Sequence, residues 1–193
     1  MNKTIRKLMF TEYKRLFYLI IIFIVSLFIS AFIFILTGQG SMNNINYETI
    51  SNLSILTIFL KTLKRNIIYF ISIICLTCIG QSKIINGLFG LISVYYGLSV
   101  IYLVRTMQFD KFYFIITFTD YFIFFPLLFY FTYISNVISK YTKKSKKIES
   151  ISNKFDIIIS SYMKVAILFL FIVTVYSLCY SYYIIILSRM LVK

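Results

Sequence analysis

From Phe17 to Thr37 the chain runs for 21 residues without a charged side chain, enough as a helix to cross the roughly 30 Å hydrocarbon core of a bilayer. More apolar runs follow, so lipid is the solvent from which the fold has to be reasoned. Composition agrees: 60% of the chain is hydrophobic and 13% charged, against about a quarter charged in an ordinary soluble domain. The net charge of +14 does not point to nucleic acid, because the basic residues lie in short clusters between apolar runs and not over a soluble surface. They read as membrane-surface anchors and topology signals. Abundant Ile, Lys, Asn, Phe and Tyr, with one Pro and no Trp or His, suggest an AT-rich bacterial genome.

The residues before the first run include Lys3, Arg6, Lys7, Lys14 and Arg15 against Glu12. The run is longer than a signal-peptide core and no A-x-A-like site follows it, so it reads as an uncleaved first span, near 17–37, with a cytoplasmic N-terminus. Residues 38–52 are polar and contain no Lys or Arg, as expected of a translocated loop. From Leu53 the apolar residues Leu56, Phe59, Leu60, Leu63 and Ile67 recur at helical spacing, with Ser54, Thr57, Lys61, Lys64 and Arg65 on the other side. That pattern predicts an amphipathic interfacial helix over 53–66 on the outer leaflet. Its basic residues Lys61, Lys64 and Arg65 are candidates for membrane-surface contact or for docking an external partner.

Asn66 to Val104 is too long for one span, since 39 residues would extend about 58 Å as a helix. The polar break Gly80-Gln81-Ser82-Lys83 divides it into spans near 67–82 and 84–104. Gly80, Gly87, Gly90, Gly97 and, further on, Pro126 are candidate helix-packing positions; at the glycines a missing side chain lets helices approach closely. The next apolar run, 112–139, contains Asp120 and Pro126. Either Thr119 and Asp120 cap a helix starting at 121, which is the favoured expectation, or one long helix kinks at Pro126. Asp120 is the intramembrane polar candidate, since acids at this depth are costly. Lys140 to Asp156 is rich in lysine and reads as cytoplasmic, and a last span near 162–187 places the C-terminus outside. The expected fold is all-α, a polytopic membrane bundle of about five transmembrane helices plus one interfacial helix, in one domain over residues 1–193.

Catalytic chemistry has little to work with. Six acids are scattered along the chain and histidine is absent, so no carboxylate pair, zinc motif or phosphate loop emerges. Cys75 and Cys78 have redox-motif spacing but lie within an apolar run, where a thiolate would be desolvated, and they read as small apolar filler. No catalytic residue, cofactor or metal is predicted.

Ile58-Phe59-Leu60-Lys61-Thr62-Leu63-Lys64-Arg65-Asn66-Ile67 is similar to an "IFxxxLKxNI" motif, Ile79-Gly80 to an apolar stretch ending "IG", and Asn86-Gly87, Gly90 and Gly97 to a looser "KGxxxGF" pattern. On these features Thr57 to Tyr141 resembles the stage II sporulation protein M family of bacterial integral membrane proteins. Where that family shows "LPQNxxxxP", this chain has Phe118-Thr119-Asp120-Tyr121-Phe122-Ile123-Phe124-Phe125-Pro126, keeping the last proline and placing Asp120 at the usual glutamine. The resemblance implies a non-catalytic membrane scaffold that recruits peptidoglycan-degrading partners, a transglycosylase and an amidase, during engulfment. Another branch implies maturation, export or immunity of a circular bacteriocin. A reading outside the family is the permease of an ABC-type exporter, with Lys140 to Asp156 engaging an ATPase. Expected partners are the lipid bilayer and membrane or extracytoplasmic proteins, with self-association open. The expected location is the bacterial cell membrane.

Overall fold

The computed structural model describes residues 12–37, 53–106, 118–145 and 152–191. They are helical throughout apart from turns, with no strand among them. The helices are α1 (Tyr13–Thr37), α2 (Ile55–Ile79), α3 (Ser82–Thr106), α4 (Phe125–Ser145) and α5 (Ser152–Leu191). A π-helical turn, Asp120–Phe124, leads directly into α4. Among the described residues, five helices are long and apolar enough to cross a membrane.

Successive helices run up and down. Gly80 makes the tightest reversal: its φ of 85° is left-handed, where glycine carries no Cβ penalty. The Gly80 N–H donates to Thr77 O at 3.0 Å and the Gln81 N–H to Leu76 O at 3.0 Å, the paired bonds that close a helix C-terminus. Gln81 O then accepts from the Ile84 and Ile85 N–H groups, so α3 starts within two residues.

α4 is the centre of the bundle and touches the other four helices. Every residue from Phe131 to Ser139 is buried. On one side it packs with α2, α3 and α5 through Phe70, Ile73, Ile92, Phe124, Phe131, Tyr162 and Phe169. On the other it meets α1 and α3 through Leu19, Phe89, Tyr133 and Val137. The outward faces are apolar, as at Phe28, Phe32, Ile35, Leu91 and Phe171, while Ser26, Ser30, Asn66, Ser93, Ser135 and Ser177 are inside. This distribution suits a bundle solvated by lipid, in which dispersion and interhelical hydrogen bonds hold helices together where no hydrophobic drive exists.

Three expectations need correction. The interfacial helix 53–66 and the short span 67–82 are one helix, α2, capped by the Ser54 side chain, which accepts from the Thr57 N–H. No Pro or Gly interrupts residues 55–79, and Ile58, Thr62, Asn66, Phe70, Ile73 and Thr77 form one continuous buried stripe. Leu56 and Leu60, by contrast, point outward. Second, Thr119 does not cap a helix beginning at 121. Its own φ and ψ are helical (−61°, −41°), without a side-chain cap bond, and the helix continues through the π-turn. Residues 112–117 of the expected span lie outside the described residues. Third, α5 is not confined to 162–187: its 40 residues extend about 60 Å, twice the hydrocarbon thickness. Its first turns therefore occupy part of the lysine-rich segment expected to connect spans.

Candidate functional site

Polar side chains gather at three levels of the bundle. At the first, near the start of α2, Lys61 and Lys64 are exposed while Arg65 is half-buried. Arg65 Nε donates to Asn66 Oδ1 at 3.1 Å, and Asn66 Nδ2 donates to Ser177 Oγ of α5 at 3.2 Å. Arg65 is thereby tied to the α2–α5 interface, whereas the two lysines face outward. The basic cluster expected as a unit is divided between two surroundings.

At the second level, hydroxyls join three helices. Ser135 Oγ of α4 lies 2.9 Å from the Tyr162 hydroxyl of α5, which donates to Thr77 Oγ1 of α2 at 3.3 Å. Thr77 Oγ1 donates in turn to Ile73 O at 2.7 Å. Tyr162 and Thr77 are fully buried, where an unmade hydrogen bond is expensive.

The third level joins the start of α1 to the end of α4. Arg15 Nη1 donates to Asn136 O at 2.7 Å and Arg15 Nε to Glu12 Oε2 at 3.2 Å. Lys140 Nζ also donates to Glu12 Oε1, and Asn136 Nδ2 donates to Asn86 Oδ1 of α3 at 2.5 Å. Asn136 Oδ1, Ser139 Oγ and Ser93 Oγ are buried without a hydrogen-bond partner among the described residues.

Desolvation pushes the Glu12 carboxyl upward, but Lys140 and Arg15 outweigh it and hold the group below the usual carboxylate range. A depressed carboxylate stabilises the fold above its unfolded pKa, and that contribution disappears as pH falls through the folded value. Because Lys140 is 44% exposed, solvent screening limits the effect of Glu12→Gln at neutral pH to about 0.5–1 kcal/mol. Thermal unfolding of both proteins from neutral pH to below about 4, the ordinary Glu range, should show their difference closing as the solution is acidified. A difference that stays constant with pH would exclude the ion pairs as its source.

The glycines differ in role. A Cβ on Gly97 would overlap Ser30 Oγ and stand 2.9 Å from Ser30 Cβ, and one on Gly90 would stand 3.4 Å from Ile22 Cγ2. These two sit where α1 approaches α3. Ser26 Oγ donates to Gly90 O at 3.2 Å and Ser30 Oγ to Val94 O at 2.9 Å across that approach. At Gly87 a Cβ would meet nothing within 4 Å, so no close helix contact depends on it. Gly80 serves the turn, with its missing Cβ 3.2 Å from Lys143 N of α4.

Pro126 is exposed on α4 just after the π-turn. Proline lacks the donor for the carbonyl four residues earlier and clashes with it in a regular helix. The widened turn lies where that conflict arises. Asp120 begins the turn on the backbone, and its side chain lies outside the described residues.

Sequence reasoning did not anticipate Glu12 with Lys140, Asn86 with Asn136, or Asn66 with Ser177. The usable signal was the cost of amides in apolar runs, which requires each to find a partner. The Ser26 and Ser30 pair, four residues apart, was likewise a legible small polar face. Among the described residues no group of three His, Cys, Asp or Glu could hold a metal ion, and Cys75, Cys78 and Cys179 form no disulfide. The chain matches no protein-family model, no curated protein and no solved structure.

Proposed function

We propose that this chain is a multi-pass bacterial membrane protein acting as a non-catalytic scaffold, which holds peptidoglycan-degrading partners at the outer face of the membrane. The observation that carries this reading is the use of interior polar groups: Asn66 with Ser177, Tyr162 with Ser135 and Thr77, and Asn136 with Asn86 bond helix to helix. Such bonds fix a frame. The likeness of residues 57–141 to the sporulation family supplies the partner class.

The N-terminus is assigned to the cytoplasm. Lys14, Arg15, Lys83, Lys140 and Lys143 gather at the end of the bundle where α1 begins and α4 finishes, as the positive-inside pattern requires. Residues 38–52 and the C-terminus are then external. A single cysteine at Asn44 should react with an impermeant maleimide in intact cells and one at Ser145 should not, in a background with the native cysteines replaced. Reversed labelling would overturn the topology.

A photo-crosslinker at Asn44 tests the function. The expected product joins this chain to a cell-wall-degrading protein. A cross-link to a small cationic peptide would support the bacteriocin reading instead, and an ATPase trapped through 140–156 would support the exporter reading.

A further inference from the structure

We propose that Lys61 and Lys64 form a binding site for the phosphate of an anionic lipid in the outer leaflet, a reading that rests on the membrane orientation above. Three observations lead to it. The first is depth. With the Gly80–Lys83 turn at the inner boundary, Lys64 lies 16 residues and Lys61 19 residues away along the chain, hence about 24 and 28 Å along the helix axis, just within a 30 Å hydrocarbon core. From there a lysine side chain reaches the phosphate layer by snorkelling.

The second is charge. α2 has no acidic residue in its first turn and none anywhere in its sequence. The stretch holding Lys61 and Lys64 thus presents two exposed ammonium groups with no carboxylate on the same helix to neutralise them, an arrangement that attracts an anion.

The third is orientation. Lys61 and Lys64 stand three residues apart on one exposed face, next to the outward-facing Leu60 and Ile68. Phosphate contact and acyl-chain contact are therefore adjacent. Arg65 is tied through Asn66 to Ser177, which leaves the lysines as the lipid-facing pair. An acidic protein segment could satisfy the charge but not the neighbouring apolar strip at this depth, so the lipid is favoured.

The chain contains no tryptophan, so I68W provides a single reporter one turn from Lys64, and L91W provides a comparison on α3. The purified full chain is placed in phosphatidylcholine vesicles containing brominated phosphatidylglycerol or brominated phosphatidylcholine, and quenching is measured. At I68W the anionic lipid should be preferred, by about fivefold for each lysine contact, with little preference at L91W. Added K61Q and K64Q, both at exposed positions, should remove the preference while leaving quenching by phosphatidylcholine intact. Excess inorganic phosphate should leave it in place, and its displacement would identify a site for free phosphate. Equal quenching by the two lipids at I68W, or a preference that survives both substitutions, overturns the proposal. Loss of a cross-linked external protein in K61Q/K64Q without change in lipid preference also overturns it, in favour of a protein contact. Absence of quenching by either lipid at both reporters would instead contradict the membrane-spanning arrangement itself.

Discussion

Gly97→Leu should loosen α1 from the bundle and lower the stability of the purified protein by about 3 kcal/mol, at the upper part of the range for overpacked contacts. The space a side chain would need is taken by Ser30 and by Leu27, whose Cδ2 would be 3.2 Å from the new Cβ. Ser30 cannot turn aside freely, since its Oγ is held by Ser26 O at 2.7 Å and Val94 O at 2.9 Å. The measurement is the midpoint of thermal unfolding in detergent, followed by size-exclusion chromatography. Gly87→Leu is the internal control and should stay within about 0.5 kcal/mol of wild type, as an exposed substitution does. Gly97→Ala should cost less than Gly97→Leu, and adding Ser30→Gly should recover part of the loss. If Gly97→Leu and Gly87→Leu behave alike, the α1–α3 approach is not the tight contact described.

Gly80→Val should be comparably severe, at about 2–4 kcal/mol, because two separate penalties meet. A β-branched residue is strained at positive φ, and a Cβ there would press within 3.4 Å of Lys143 N, Cβ and Cα. Gly80→Asn separates them, since asparagine tolerates the left-handed conformation but still brings a Cβ against α4. The expected order of stability is Gly, then Asn, then Val. Near-equal loss for Asn and Val would assign the cost to crowding alone, and wild-type behaviour of Val would refute the turn geometry.

What could be read from the sequence follows from how each signal depends on solvent. The run 17–37 and the break at Gly80-Gln81 were legible because a long uncharged stretch and a polar interruption mean the same thing in any bundle. The pattern of 53–66 misled because amphipathicity was read with water as the outer phase. Thr62 and Asn66 are inside, and Leu56 and Leu60 outside. In a bundle solvated by lipid, uncharged polar groups such as these turn toward neighbouring helices, while Lys61 and Lys64 stay outward. Lysines near 140–156 suggested a loop, yet lysine is a good helix former, and α4 and α5 extend into that segment from both sides. Gly90 and Gly97 could be marked as close-approach positions but not matched to Ser26 and Ser30, because spacing within one helix carries no information about which other helix it faces. Pro126 announced a disturbance without specifying whether the helix would start, kink or widen, and the neighbouring residues resolve it as a π-turn.

The serines of α1 also bear on the order of assembly. The partners of Ser26 and Ser30 on α3 lie 64 residues later in the chain, a delay of about 3–13 s at ordinary rates of synthesis. Each hydroxyl meanwhile has an acceptor on its own helix, Ile22 O for Ser26 and Ser26 O for Ser30, both at 2.7 Å. On the membrane-spanning reading proposed above, α1 can therefore wait in lipid with neither donor unsatisfied. When α3 arrives, each proton is shared with a second carbonyl across the gap, and the two helices join without first breaking a bond.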